Sequence, residues 1–164
     1  MDAKQLRQLM PKNAHDAQSA KDLVSLGALE LAPVVPEMLR QLKTLGSPVS
    51  DILADFFARN GEPYAEEVAR FLSHSTMPEV KWVIVSRVLP SWSAQAIRSL
   101  HGNLGMLMSA PDFFGTDLWC IRLLAKHSIG ERHSLEEWLE FKRNRLRTLS
   151  KFASEVANEM GLEK

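Results

Sequence analysis

Five histidines, one cysteine and a few carboxylate pairs are the residues able to do chemistry here, and their spacing decides whether they can act together. His15, His74, His101, His127 and His133 form neither an HExxH nor an HxH pattern. Cys120 stands alone, so no Cys-x-x-Cys exists and no converging ligand set for a metal is expected. The histidines read as loop or helix-end residues; His101 and His127 suit helix C-termini, where partial negative charge favours imidazolium. No Gly-x-Ser-x-Gly elbow is present, and Cys120, mid-helix between Trp119 and Ile121, reads as an inert core thiol. Gly102-Asn103-Leu104-Gly105 is neither a P-loop nor a dinucleotide fingerprint. Asp51 and Asp55 share a helix face, but paired acids on a helix are usually solvated. The basic run Lys142-Arg143-Asn144-Arg145-Leu146-Arg147, extended by Lys151, can hold an acidic partner or RNA. Glu136, Glu137 and Glu140 lie within one or two turns, however, which favours a solvated, salt-bridged helix. The expectation is a protein with no catalytic residues, no cofactor and no metal.

The bulk properties point the same way. The 164 residues suffice for one domain with a sizeable core, and a hydrophobic content of 45% argues against disorder. Lys plus Arg balance Asp plus Glu at 20 each, so nothing suggests a nucleic-acid partner, which demands a basic excess or face. A single cysteine fits a reducing compartment. Met1-Asp2-Ala3-Lys4-Gln5 lacks the apolar core of a signal peptide, and no run is long enough to cross a bilayer. A cytoplasmic protein with no membrane association is expected.

The elements that position these residues follow a repeat. Pro33–Glu62 written above Pro63–Trp92 puts Pro33 over Pro63, Met38 over Val68, Leu42 over Leu72, Pro48 over Pro78, Leu53 over Val83 and Ala58 over Val88. A unit of about thirty residues built from two helices marks an all-α solenoid. Ser47-Pro48 reads as an N-cap and first-turn pair, and Gly46 and Asn60-Gly61 as stops. Trp82-Val83-Ile84-Val85 is apolar nearly all round, yet its register with Ile52–Ala58 argues for a buried helix rather than a strand. Helices are also expected at Asp2–Met10, Ala17–Leu26 with Asp16 as N-cap, Ala94–His101, and Asp117–His127 with Thr116 as N-cap. Trp119 lies 37 residues after Trp82, so the third unit carries an insertion, placed within Gly102–Gly115, where two glycines and a proline make regular helix unpromising. Ser134-Leu135-Glu136-Glu137 reads as a capping box opening a long final helix, Leu135–Met160. The organisation is one all-α domain, 1–164, with helical-pair repeats at 33–62, 63–92 and 93–130 and a capping helix at 134–160. A helix this long can also reach a second subunit, so a homodimer through it is a further expectation.

Two surfaces are candidates for binding a protein. The first is the ridge of second helices and its junctions: Asp51, Asp55, Arg59, Arg87, Trp92 and Arg98, with Tyr64 in a first helical turn where partial exposure is expected. Trp92, in a turn between two serines, looks underused by packing alone. The second is the insertion, where Met106, Met108, Phe113 and Phe114 supply adaptable and aromatic contacts.

Leu9-Met10-Pro11-Lys12-Asn13-Ala14-His15-Asp16 resembles the opening of a family of small bacterial proteins, domain of unknown function 5071. The likeness continues weakly through Leu31-Ala32-Pro33-Val34-Val35-Pro36-Glu37, Ser47-Pro48-Val49 and Lys81-Trp82, covering roughly Leu6–Leu100. It implies a HEAT-like helical-repeat fold and transfers no catalytic residues. Some relatives resemble immunity proteins that accompany secreted antibacterial toxins, as in type VI secretion. The resemblance implies an immunity protein whose partner is a cognate toxin; a scaffold for a cellular protein is the alternative.

Overall fold

The computed structural model describes residues 1–110 and 114–160, and every regular element among them is a helix. The chain divides into two units, Met1–Ile129 and Gly130–Lys164.

In the first unit, α1 (Ala3–Leu9) opens with a capping box: the Asp2 carboxylate accepts the Gln5 N–H at 2.8 Å, and the Gln5 side chain accepts the Asp2 N–H at 3.0 Å. α2 (Ala17–Val24) is capped by Asp16, as its sequence predicts, and α3 is the short turn Ala28–Leu31. A 3₁₀ turn at Ala32–Val34 feeds α4 (Val35–Arg40), and α5 (Pro48–Asn60) follows with the Ser47 hydroxyl accepting the Ser50 N–H at 3.2 Å. The pattern then recurs: a 3₁₀ turn at Glu62–Tyr64, α6 (Ala65–His74), and α7 (Pro78–Val83). α8 (Ala94–Ser99), α9 (His101–Ser109) and α10 (Thr116–Lys126) complete the unit.

Several positions aligned thirty residues apart share their local structure. Pro33 and Pro63 both sit in 3₁₀ turns, and Pro48 and Pro78 both stand at first helical positions, where a missing N–H leaves no bond unmade. Met38 and Val68, Leu42 and Leu72, and Leu53 and Val83 are each buried pairs of equivalents. The helices pack as two layers: α4 on α6 and α6 on α9 in one, α5 on the segment after α7 and that segment on α10 in the other. The layers also begin earlier than Pro33, because α1 packs against the turn before α4 and α2 packs against α5.

The apolar stretch after Trp82 is helical, as its register predicts, but not uniformly α. Ile84–Val88 forms a π turn in which the Leu89 N–H bonds to the Ile84 carbonyl, and Leu89–Ser91 closes as 3₁₀. Pro90 has no N–H to give the ladder, and the Ser86 hydroxyl donates to the Trp82 carbonyl at 2.6 Å, so the local bonds rearrange. Ile84, Val85, Val88 and Leu89 are all buried, as a segment enclosed on several sides requires.

Four local expectations are corrected. α9 is regular helix straight through Gly102 and Gly105, because burial of Leu104, Leu107 and Met108 against α10 and α6 outweighs a cost of roughly 1 kcal/mol per glycine. α10 begins at Thr116, and its cap is Gly115 at φ +74°, a left-handed conformation that suits glycine. His101 opens α9 rather than ending α8, while His127 does cap α10.

The fourth lies in the second unit. α11 runs Arg132–Glu159, 28 residues or about 42 Å. Ser134 is inside it and forms no capping box. Glu137, which the box would turn back, pairs with His133 at 3.2 Å, and Glu136 pairs with Arg132 at 2.8 Å. The basic run is salt-bridged at helical spacings, with Arg143 and Arg147 each 3.7 Å from Glu140 and Lys151 3.9 Å from Glu155.

Candidate functional site

The predicted ridge separates into three kinds of residue. Arg87, projecting from the π turn, bonds to Asp51 and lies 3.8 Å from Asp55, so α5 and the following pair are tied by an ion-pair cluster. These three stay partly exposed, but their charges already answer one another. Arg59 and Arg98 are exposed and form no ion pair with any described residue. Tyr64 and Trp92 are interior.

Trp92 and Tyr64 correct the expectation of exposed anchors. Trp92 is 2% exposed, and its indole N–H donates to the Phe57 carbonyl at 3.0 Å. That carbonyl also accepts the Gly61 N–H at 2.9 Å, so it joins the end of α5 to the turn before α8. Glu62 completes the joint by accepting both the Ser93 N–H and the Ser93 hydroxyl, the latter at 3.0 Å. Tyr64 is 4% exposed, its ring edge-to-face with Phe57 at 6.3 Å, and burial raises its hydroxyl above the ordinary tyrosine value. A turn flanked by serines looked solvent-facing in sequence; the packing of one helical pair on the next encloses it.

In the insertion, Met106 is 56% exposed and Phe114 is 37% exposed, whereas Met108 is buried at 3% and belongs to the core. Phe113 lies outside the described residues. Cys120 is buried.

A concave feature of the first unit lies elsewhere, between α4 and α6. A cavity of about 560 Å³ is floored by Pro36, Phe71 and Met77 and edged by Arg40, Arg70, Glu67 and His74. That volume is in the range of small-ligand and anchor-residue sites. Arg40 forms no hydrogen bond or ion pair with a described residue, and Arg70 has only a 4.0 Å approach to Glu67. His74 Nδ1–H donates to the Arg70 carbonyl at 2.9 Å, which fixes its ring at the helix end. The rim therefore offers two solvated guanidiniums above a half-buried aromatic and a methionine. Such a site can take a carboxylate by forked hydrogen bonds while an adjoining apolar group fills the floor.

Sequence reasoning passed over these residues although the register contains them. Arg40 stands over Arg70 in the thirty-residue alignment, so stacking α4 on α6 places the two arginines on neighbouring helices. Among the described residues no group of histidines, cysteines and carboxylates converges for a metal, and no helix is long and apolar enough to cross a membrane. Comparison with protein-family models, with curated proteins and with solved structures gives no match.

Proposed function

We propose that this protein is a protein-binding module of HEAT-like helical pairs, an immunity protein that neutralises a cognate bacterial toxin by direct binding in the cytoplasm. The observation that carries the binding role is the Arg40–Arg70 rim above Phe71 and Met77. Two guanidiniums with weak or no internal partners are poised for a carboxylate, and the floor for the apolar residue beside it. The proposed contact is therefore an acidic and an apolar side chain of the partner seated between α4 and α6. Exposed Arg59, Arg98, Met106 and Phe114 extend the grip along the first unit. The immunity role itself rests on the likeness of Leu9–Asp16 and the following segments to the bacterial family. The reading assigns the chain no reaction and no cofactor.

The test is affinity capture of tagged protein from its native host, followed by mass spectrometry of what is retained. A single toxic enzyme whose growth inhibition is relieved by co-expression supports the proposal. Housekeeping proteins alone would sink the immunity reading in favour of a cellular scaffold. Arg40→Glu with Arg70→Glu should weaken capture by at least about tenfold while the circular dichroism and melting temperature stay unchanged. Full retention by that variant would show that the grip lies on another face.

A further inference from the structure

α11 leaves an apolar stripe open along its second half. Leu146, Leu149, Phe152 and Met160 are 55, 54, 62 and 66% exposed, and Val156 is 36% exposed. Their spacings of three and four put them on one side of the helix. The pattern is also heptad: Leu146, Ala153 and Met160 recur every seven residues, as do Leu149 and Val156. A stripe of this size in water calls for a cover.

The flanking charges choose the cover. Most charged residues of α11 pair within the helix, but Arg145 and Glu159, which border the same edge of the stripe as Phe152, form no ion pair with any described residue. Two copies laid parallel and in register would set Arg145 beside the partner's Ser150, which leaves the guanidinium unanswered. Two copies laid antiparallel, with Leu146 against the partner's Val156 and Leu149 against the partner's Ala153, bring Arg145 beside the partner's Glu159 at both ends. The same alignment stacks Phe152 on the partner's Phe152 across the two-fold axis. One register thus covers the stripe and gives Arg145 and Glu159 a partner each.

We infer that α11 is the self-association surface of this protein, joining two copies as an antiparallel helix pair centred near Lys151. The inference is independent of the toxin reading, since it uses a different unit and a different partner.

Sedimentation equilibrium of the full chain from about 1 to about 100 µM should show a concentration-dependent dimer. Leu149→Glu should abolish it. Arg145→Glu should weaken it, and adding Glu159→Arg to that variant should restore it. Orientation is read by disulfide trapping after Cys120→Ala. Mixed Leu149→Cys and Ala153→Cys chains should form the mixed 149–153 disulfide in preference to either symmetric one. A monomer at all concentrations, as when the stripe rests on its own chain or on a different protein, overturns the inference. So does a dimer that persists in Leu149→Glu, or one trapped through symmetric 149–149 disulfides.

Discussion

At the Phe57 carbonyl, two donors and one absent side chain meet. The Trp92 indole and the Gly61 amide both bond to it, and a Cβ on Gly61 would fall 2.3 Å from that oxygen and 2.9 Å from Trp92 Cζ2. Gly61 sits at φ −87°, so proximity rather than conformation requires glycine here. Gly61→Ala should destabilise the fold by about 1–3 kcal/mol in urea unfolding. Trp92→Ala should cost about 3–5 kcal/mol, which makes it a stability variant rather than an interface probe. Tyr64 behaves differently, because its buried hydroxyl has no hydrogen-bond partner among the described residues. Tyr64→Phe should change stability by less than about 1 kcal/mol at neutral pH. Burial raises the folded-state value above 10.0, so the unfolded chain ionises first and wild-type stability falls above that pH. Tyr64→Phe should remove that alkaline decline in pH-dependent melts.

Caps and glycines act at the scale of the element. The stretch Leu9–Asp16 is a capping loop. Asp16 accepts the Lys12 N–H at 3.0 Å and the Ser19 N–H at 3.3 Å; the Pro11 carbonyl accepts from Gln41 at 3.1 Å; and the Ala14 carbonyl accepts the Val49 N–H at 3.3 Å. Its residues fasten α2 and the start of α5, which is an architectural role. Those N–H bonds hold the Asp16 carboxyl below 3.8, first through the Lys12 amide. A depressed value contributes stability that is present above the unfolded value and lost as pH falls through the folded one. Asp16→Asn should therefore flatten the acid limb of the stability profile. In α9, Gly102 and Gly105 have open space where a Cβ would go. Each changed to alanine should stabilise by up to about 1 kcal/mol in thermal melts, since helix propensity improves and nothing clashes.

At the scale of the molecule, stacking equivalent helices repeats side chains as well as backbones. Arg40 and Arg70 occupy one repeat position on α4 and α6, and their juxtaposition creates the proposed grip without any local motif. Exposed guanidiniums contribute little to folding, so removing them should spare stability and act on binding alone. The ridge proposed from spacing loses part of its charge for the same geometric reason. α5 and the π turn lie side by side, and Arg87 neutralises Asp51 and Asp55 before a partner can use them.

Much of the architecture was legible in the chain. Prolines at thirty-residue intervals, with apolar residues at spacings of three and four between them, point to successive helices, because first-turn proline and a one-sided apolar pattern are local properties. The caps at Asp16 and Ser47 follow from side-chain chemistry alone. What only the tertiary structure decided is which of these residues meet water. Trp92, Tyr64 and Met108 are enclosed by neighbouring helices, whereas Arg40, Arg70 and the stripe from Leu146 to Met160 are left accessible. Burial depends on the packing of elements distant in sequence, and no spacing within one element encodes it.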